Sequence, residues 1–264
     1  MSLVCIVCIN IYTVITPGMV RRIYSMSSKV RKQAWWMTRQ EMGRDWLQWI
    51  WTLLFTAYAA IMCGASMHEA LKDKGYTLMG DNFFLIFVPF LGFLFSRRSF
   101  RYLQEDSYTQ MLAYMRRIPV PVDALLLNRI IQMLITFVIN GIAFFSLIYV
   151  AALRGEQFGL SGVLAFTIMW IGYGLFINSI YFYWEFNCSG KRYFVQTMAL
   201  MLFTLLVSLL AAMFDQNLIK ITLQQSADYG LLSPMMWGIL LIAAASLTIS
   251  FKLTRRQLLQ RDLS

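Results

Sequence analysis

Apolar residues along this chain come in long unbroken runs, without the strict alternation of a half-buried strand. Five runs extend from about Trp46 to Ser66, Ala124 to Leu153, Leu160 to Trp184, Phe194 to Phe214 and Pro234 to Phe251. Each reaches or approaches the roughly 20 helical residues needed to cross a hydrocarbon core. A sixth run, Asn82 to Ser96, is shorter and contains Pro89. At about 1.5 Å per residue it spans only about 22 Å. It predicts a kinked crossing or one that borrows its flanks, with Arg97 and Arg98 snorkelling to the headgroups.

The polar segments between the runs test that count. With six crossings and both ends in the cytoplasm, the cytoplasmic segments hold seven basic residues between positions 21 and 44 and six between 97 and 129. They also hold Lys191, Arg192, and four more from Lys252 to Arg261. The external loops keep only Lys72, Lys74, Arg154 and Lys220, so nineteen basic residues stand against four, together the 23 of the chain. Omitting the short run would put several arginine groups on the wrong side. The positive-inside rule therefore predicts an all-α integral membrane protein of six transmembrane helices with both termini cytoplasmic. Composition agrees: 14% of residues are charged, against about 25% in soluble domains. The net charge of +10 is spread over short connecting segments where it sets topology, which speaks against nucleic acid as a partner.

Residues 1–28 form an apolar and then basic extension. Leu3 to Val20 contains Asn10 and Pro17 and is followed by Arg21 and Arg22. It reads as an extra short span, an interfacial segment, or a stretch ahead of a start at Met26. A cleaved secretory signal would carry its basic residues before the apolar run. Residues 29–45 read as an amphipathic interface helix: Val30, Ala34 and Met37 recur at helical spacing, Trp35 and Trp36 suit a membrane boundary, and Arg39 lies among the basic residues of the other face. A positive flank that only anchors the first span explains this segment equally well.

Enzyme chemistry finds little footing. Cys5 and Cys8 have CxxC spacing but no second pair or nearby histidine, and His68 is the only histidine, so neither a metal site nor a redox pair is indicated. Acidic residues are scattered, and the sequence contains no GxxxxGK[ST] phosphate loop. Within the runs, Gln132, Asn140, Asn178 and Gln196, with Gly141, Gly172 and Gly174 nearby, are candidates for a substrate path; amides and glycines also serve simply to join helices. Glu185 falls at the end of the fourth span, leaving no intramembrane acid for a proton relay. Such a path suits an amphipathic or apolar cargo better than a small ion.

The segment from 97 to 123 is the largest polar element inside the chain. Phe100, Leu103, Met111, Met115 and Ile118 form a rough apolar stripe, with Glu105, Asp106, Arg116 and Arg117 outside it. Pro119 and Pro121 stop the helix and stiffen the turn, and Asp123 stands where it can cap the next helix. The expected object is a short rigid helix beneath the bilayer, joined tightly to the third span. A helix that merely lies on lipid is the other reading.

Here the chain resembles the membrane subunit of ABC-2 type transporters, the type V exporter fold. The resemblance rests on the order of features and on EDSYTQMLAYMRRIPVPVDALLLNRI, residues 105–130. That stretch is similar to the family's acidic residue, leucine-containing helix, Leu/Ile-Pro turn and basic residue opening the third span. Glu105 or Asp106 takes the acidic position, Ile118-Pro119 the turn, and Arg129 stands where the family usually has lysine. The resemblance implies a six-helix domain over 29–264 with a cytoplasmic coupling helix between spans 2 and 3. This helix would present Glu105, Asp106, Tyr108, Met111, Tyr114, Arg116, Arg117, Pro119 and Pro121 to a separate ABC ATPase subunit, with Trp35, Trp36 and Arg39 of the interface helix flanking the contact. It further implies ATP and Mg²⁺ on the partner and none on this chain, a second permease copy or paralogue, surrounding membrane lipid, a bacterial-type plasma membrane, and export. The rival from a different class is a membrane immunity or assembly protein that binds a partner without transport.

Overall fold

A computed structural model describes residues 28–44, 46–71, 77–94, 120–153 and 159–260. The described residues are helical wherever they are regular: α1 (Ser28–Arg44), α2 (Trp46–Leu71), α3 (Thr77–Phe90), α4 (Val122–Ile148), α5 (Leu160–Asn187), α6 (Gly190–Met213), α7 (Leu218–Tyr229) and α8 (Pro234–Gln260). A π-helical turn, Tyr149–Leu153, prolongs α4, and a 3₁₀ turn, Gly230–Leu232, follows α7. Five helices are long and apolar enough to cross a membrane: Trp46–Glu69, Val122–Leu153, Leu160–Asn187, Gly190–Met213 and Pro234–Gln260. This is the architecture of a multi-pass membrane protein. The expected N-terminal extension over 1–28 lies outside the described residues except for Ser28.

Contacts fix the direction of the helices. Gly64 of α2 lies beside Ala151, while Thr38 of α1, the helix that leads into α2, bonds Asn128 near the start of α4, so α2 and α4 run the same way. Ser179 pairs with Ser246, and Gly172 approaches Ile239, so α5 and α8 run together. The pair Arg129–Glu185 sets α5 against α4. Between the codirectional α2 and α4 the chain must return, and α3 is the described part of that return: Phe84 meets Trp170 at 4.9 Å between ring centroids, and Pro89 meets Asn178, so α3 runs with α5.

Phe84, Phe144, Phe166 and Trp170 interlock where α3, α4 and α5 meet. Close approach there depends on Gly174, where a Cβ would stand 2.5 Å from Phe137 Cζ. Without a hydrophobic drive between helices in lipid, such close van der Waals packing is what holds them together. Outer faces remain apolar: Trp51 and Leu54 of α2, and Leu202, Phe203 and Leu206 of α6, are exposed, as lipid-facing residues are.

At 14 residues, α3 is about 21 Å long. Phe90 ends it level with Asn178, nine residues before the end of α5. Pro89, inside the last turn, has no N–H to give to the Leu85 carbonyl, and beyond Phe90 the N–H groups of Leu91, Gly92 and Phe93 bond three residues back in tighter turns. The segment between α6 and α8, read from sequence only as a loop, contains the amphipathic α7, with Ile219, Thr222, Leu223 and Ser226 buried.

Candidate functional site

Two groups of polar side chains stand within the bundle, one at the end where α1 lies and one at the break in α3. At the first, α1 buries Ala34 and Thr38 against Ala124 and Leu127 of α4. The Thr38 hydroxyl lies 2.7 Å from Asn128 Oδ1 and 2.9 Å from the Ala34 carbonyl, which share its single hydrogen. Glu41 Oε2 accepts from Gln132 Nε2 at 2.5 Å and from Asn128 Nδ2 at 3.4 Å. Asn128 and Gln132, four apart, share the face of α4 turned to α1. Arg129, one position on, is rotated toward α5: its Nε donates to Glu185 Oε2 at 2.8 Å and its Nη1 to Gln132 Oε1 at 3.3 Å. The result is one connected polar clamp across α1, α4 and α5, a set of groups that can share a buried position because each has a partner.

A second tie at this end joins α4 to α8: Asp123 receives Arg255 Nε at 2.5 Å and Nη2 at 3.3 Å. Asp123 therefore does not cap α4 as its position predicted. Pro121, in extended conformation at φ −59°, ψ 139°, is the N-cap residue and supplies no side-chain bond. The charge of Asp123 still sits in the first turn, where the helix dipole favours it.

The interface helix is a helix over the predicted range, and of its predicted apolar positions Ala34 is buried while Val30 and Met37 are half-buried. That face rests on α4. Trp35, Trp36, Lys29, Lys32 and Arg39 share the opposite, exposed face, with Trp36 64% accessible. Glu105, Asp106, Tyr108, Met111, Tyr114, Arg116, Arg117 and Pro119 of the expected coupling helix lie outside the described residues; Pro121 lies just ahead of α4.

At the end of α3, three side chains bond backbone carbonyls. Tyr173 donates its hydroxyl to the Leu85 carbonyl at 2.9 Å, the carbonyl that Pro89 leaves without a donor. Asn178 Nδ2 donates to Pro89 O at 2.9 Å and to Gly174 O at 2.8 Å. Asn140 Nδ2 donates to Leu91 O at 3.0 Å. Hydrocarbon offers no alternative partner to an exposed carbonyl, so a broken helix at this depth needs such side chains.

The four residues considered for a substrate path are thus divided. Asn140 and Asn178 serve the α3 break, Gln132 belongs to the clamp, and Gln196, half-buried on α6, joins neither set of hydrogen bonds. A shallow, half-open crevice lies between α3, α5 and α6, lined by residues that include Pro89, Phe90, Tyr173, Tyr181 and Thr204 but none of those four. Among the described residues no group of three His, Cys, Asp or Glu side chains stands ready for a metal; Cys63 and Cys188 are free thiols, and Cys5 and Cys8 lie outside the described range.

Sequence reasoning missed Thr38, Glu41 and Asn128. Thr38 and Glu41 are three apart on α1, and Asn128 and Gln132 four apart on α4, each pair spaced for one helix face. Only the packing of α1 on α4 joins them. No protein-family model matches this chain, and none of the curated proteins or solved structures compared with it does.

Proposed function

We propose that this chain is the membrane-spanning permease subunit of an ATP-driven ABC exporter of the ABC-2 type. In this reading six crossings, the sixth made by α3 with its flanks, place both termini in the cytoplasm of a bacterial-type cell, and two permease chains work with two ATPase subunits. One observation carries most weight. Val30 of α1 and Val120 of the expected coupling region pack into the same cluster with Ala34, Ala124 and Leu127. The last residues of the expected coupling region, at Val120, thus lie beside α1, which supports a shared contact surface there.

A push on residues 97–118 by the closing ATPase pair reaches α4 through the Pro119–Pro121 turn. The clamp then moves α1, α4 and α5 as one body, and Asp123–Arg255 carries the displacement to α8. ATP and Mg²⁺ belong to the partner. The cargo is amphipathic or apolar, in keeping with a bundle whose described amides are largely committed to backbone carbonyls and to the clamp.

Two double variants test the reading. Pro119→Gly with Pro121→Gly leaves the chain inserted and ATPase-bound but separates ATP turnover from transport. Glu105→Gln with Asp106→Asn lowers the amount of ATPase that copurifies. Normal transport and ATPase retention in both variants would reduce the segment to an interfacial flank and favour the immunity or assembly class.

A further inference from the structure

We infer that α7 is a lid over the end of the bundle opposite α1, latched shut by Asp81 of α3. Asp81 is 1% exposed, yet among the described residues no basic side chain is its hydrogen-bond partner. Both carboxylate oxygens instead accept backbone N–H groups of the first turn of α7, Oδ2 from Leu218 at 2.8 Å and Oδ1 from Ile219 at 3.0 Å. Asn217 takes the next N–H, that of Lys220, at 3.0 Å. The first N–H groups of a helix have no intrahelical acceptor, and the helix dipole favours a carboxylate at that end. Here the carboxylate comes from a different helix, so one pair of hydrogen bonds both caps α7 and ties it down.

The body of α7 is built to seal. Ile219 and Leu223 join the main apolar core, and Ser226 presses its carbonyl on α5 at Gly162, where a Cβ would stand 3.1 Å away. Gln224 and Asp228 on the other side are exposed. Each connection to the bundle carries a left-handed residue: Asp215 and Gly230, both at φ 53°. Asp is among the few non-glycine residues that readily adopt that conformation. The lid is thus a compact amphipathic unit between two irregular joints. Its latch is a carboxylate against backbone N–H groups.

Positive charge assigns the α1 end to the cytoplasm, so the lid faces outward. Its opening uncovers Leu223 and the adjoining ends of α3 and α5 while the helices beneath stay packed. This inference does not depend on which partner drives the chain.

Thiol accessibility in intact cells tests it. Leu223→Cys is placed in a chain whose Cys5, Cys8, Cys63 and Cys188 are replaced by alanine, and a membrane-impermeant maleimide is added outside. With Asp81 present, labelling is slow. Asp81→Asn removes the charge and one acceptor and raises the labelling rate about tenfold or more. Leu218→Pro gives an independent release: proline is well tolerated at the first helical position, the preceding Asn217 already has the extended φ −118°, ψ 112° that proline requires, and only one latch bond is lost. Its rate rises as well. Phe144→Cys, deep in the core, stays unlabelled in both backgrounds. Equal Leu223→Cys rates with and without Asp81 would overturn the latch. Labelling of Phe144→Cys in the Asp81→Asn chain would show that Asp81 supports the whole fold and overturn the lid.

Discussion

Residue by residue, the plainest physical consequence in this molecule is that of one proline. Pro89 removes the donor for Leu85 O, and Tyr173 replaces it across the interface. A double-mutant cycle follows. Tyr173→Phe costs about 1 kcal/mol of stability in the native chain and close to nothing in a Pro89→Ala chain, where the backbone N–H returns. Equal costs in both backgrounds, measured by reversible unfolding in mixed micelles, would show that the Tyr173 hydroxyl does not substitute for the missing bond. Asn178→Leu is more severe, because it removes two hydrogen bonds, to the carbonyls of Pro89 and Gly174; with the Gly92 N–H still on Pro89 O, about 1–2 kcal/mol is expected. Gly174→Ala forces a methyl against the Phe137 ring and costs about 1–3 kcal/mol by overpacking. Asn140 and Asn178 were visible in the sequence as amides inside apolar runs. Their partners were not, because nothing local to either residue says that a helix will stop beside it.

At the level of elements, α1 is held by specific polar bonds as well as by its small apolar face. Thr38→Val together with Glu41→Ala removes the α1 side of the clamp and leaves Gln132 and Asn128 without it. Hydrogen exchange across residues 28–44 then accelerates while α4 beyond Gln132 stays protected. If α1 kept its protection, the contacts of Ala34 and Val30 alone would account for its docking. The Asp123–Arg255 pair is partly exposed, so Arg255→Gln is expected to cost less than about 1 kcal/mol. Val30, Ala34 and Met37 announced the inner face of α1 by their spacing, but the surface they meet could not be read, because helix periodicity carries no address. α7 was overlooked for a different reason. Its 12 residues mix Ile and Leu with Lys, Gln, Ser and Asp, a pattern that looks polar beside a membrane span and becomes amphipathic only when laid on α5.

Across the whole molecule, the arrangement follows from charge and length. Counting basic residues on alternate segments requires a return between the first and third long helices, and the parallel course of α2 and α4 requires the same. A short, proline-bearing helix was anticipated there from the Asn82–Ser96 run, but α3 occupies Thr77–Phe90 instead. Its abrupt end, supported by Tyr173, Asn140 and Asn178, was not anticipated, because a proline inside an apolar run signals a break without saying who repairs it. The account then turns on the basic end, where α1 and the start of α4 form one surface. The measurement that tests it most directly is purification of the tagged chain from its native membrane in mild detergent, with mass spectrometry of everything that accompanies it. The account predicts a stoichiometric phosphate-loop ATPase that is lost from the Glu105→Gln, Asp106→Asn chain. Recovery of the chain alone, or with a partner that has no ATPase, would contradict it.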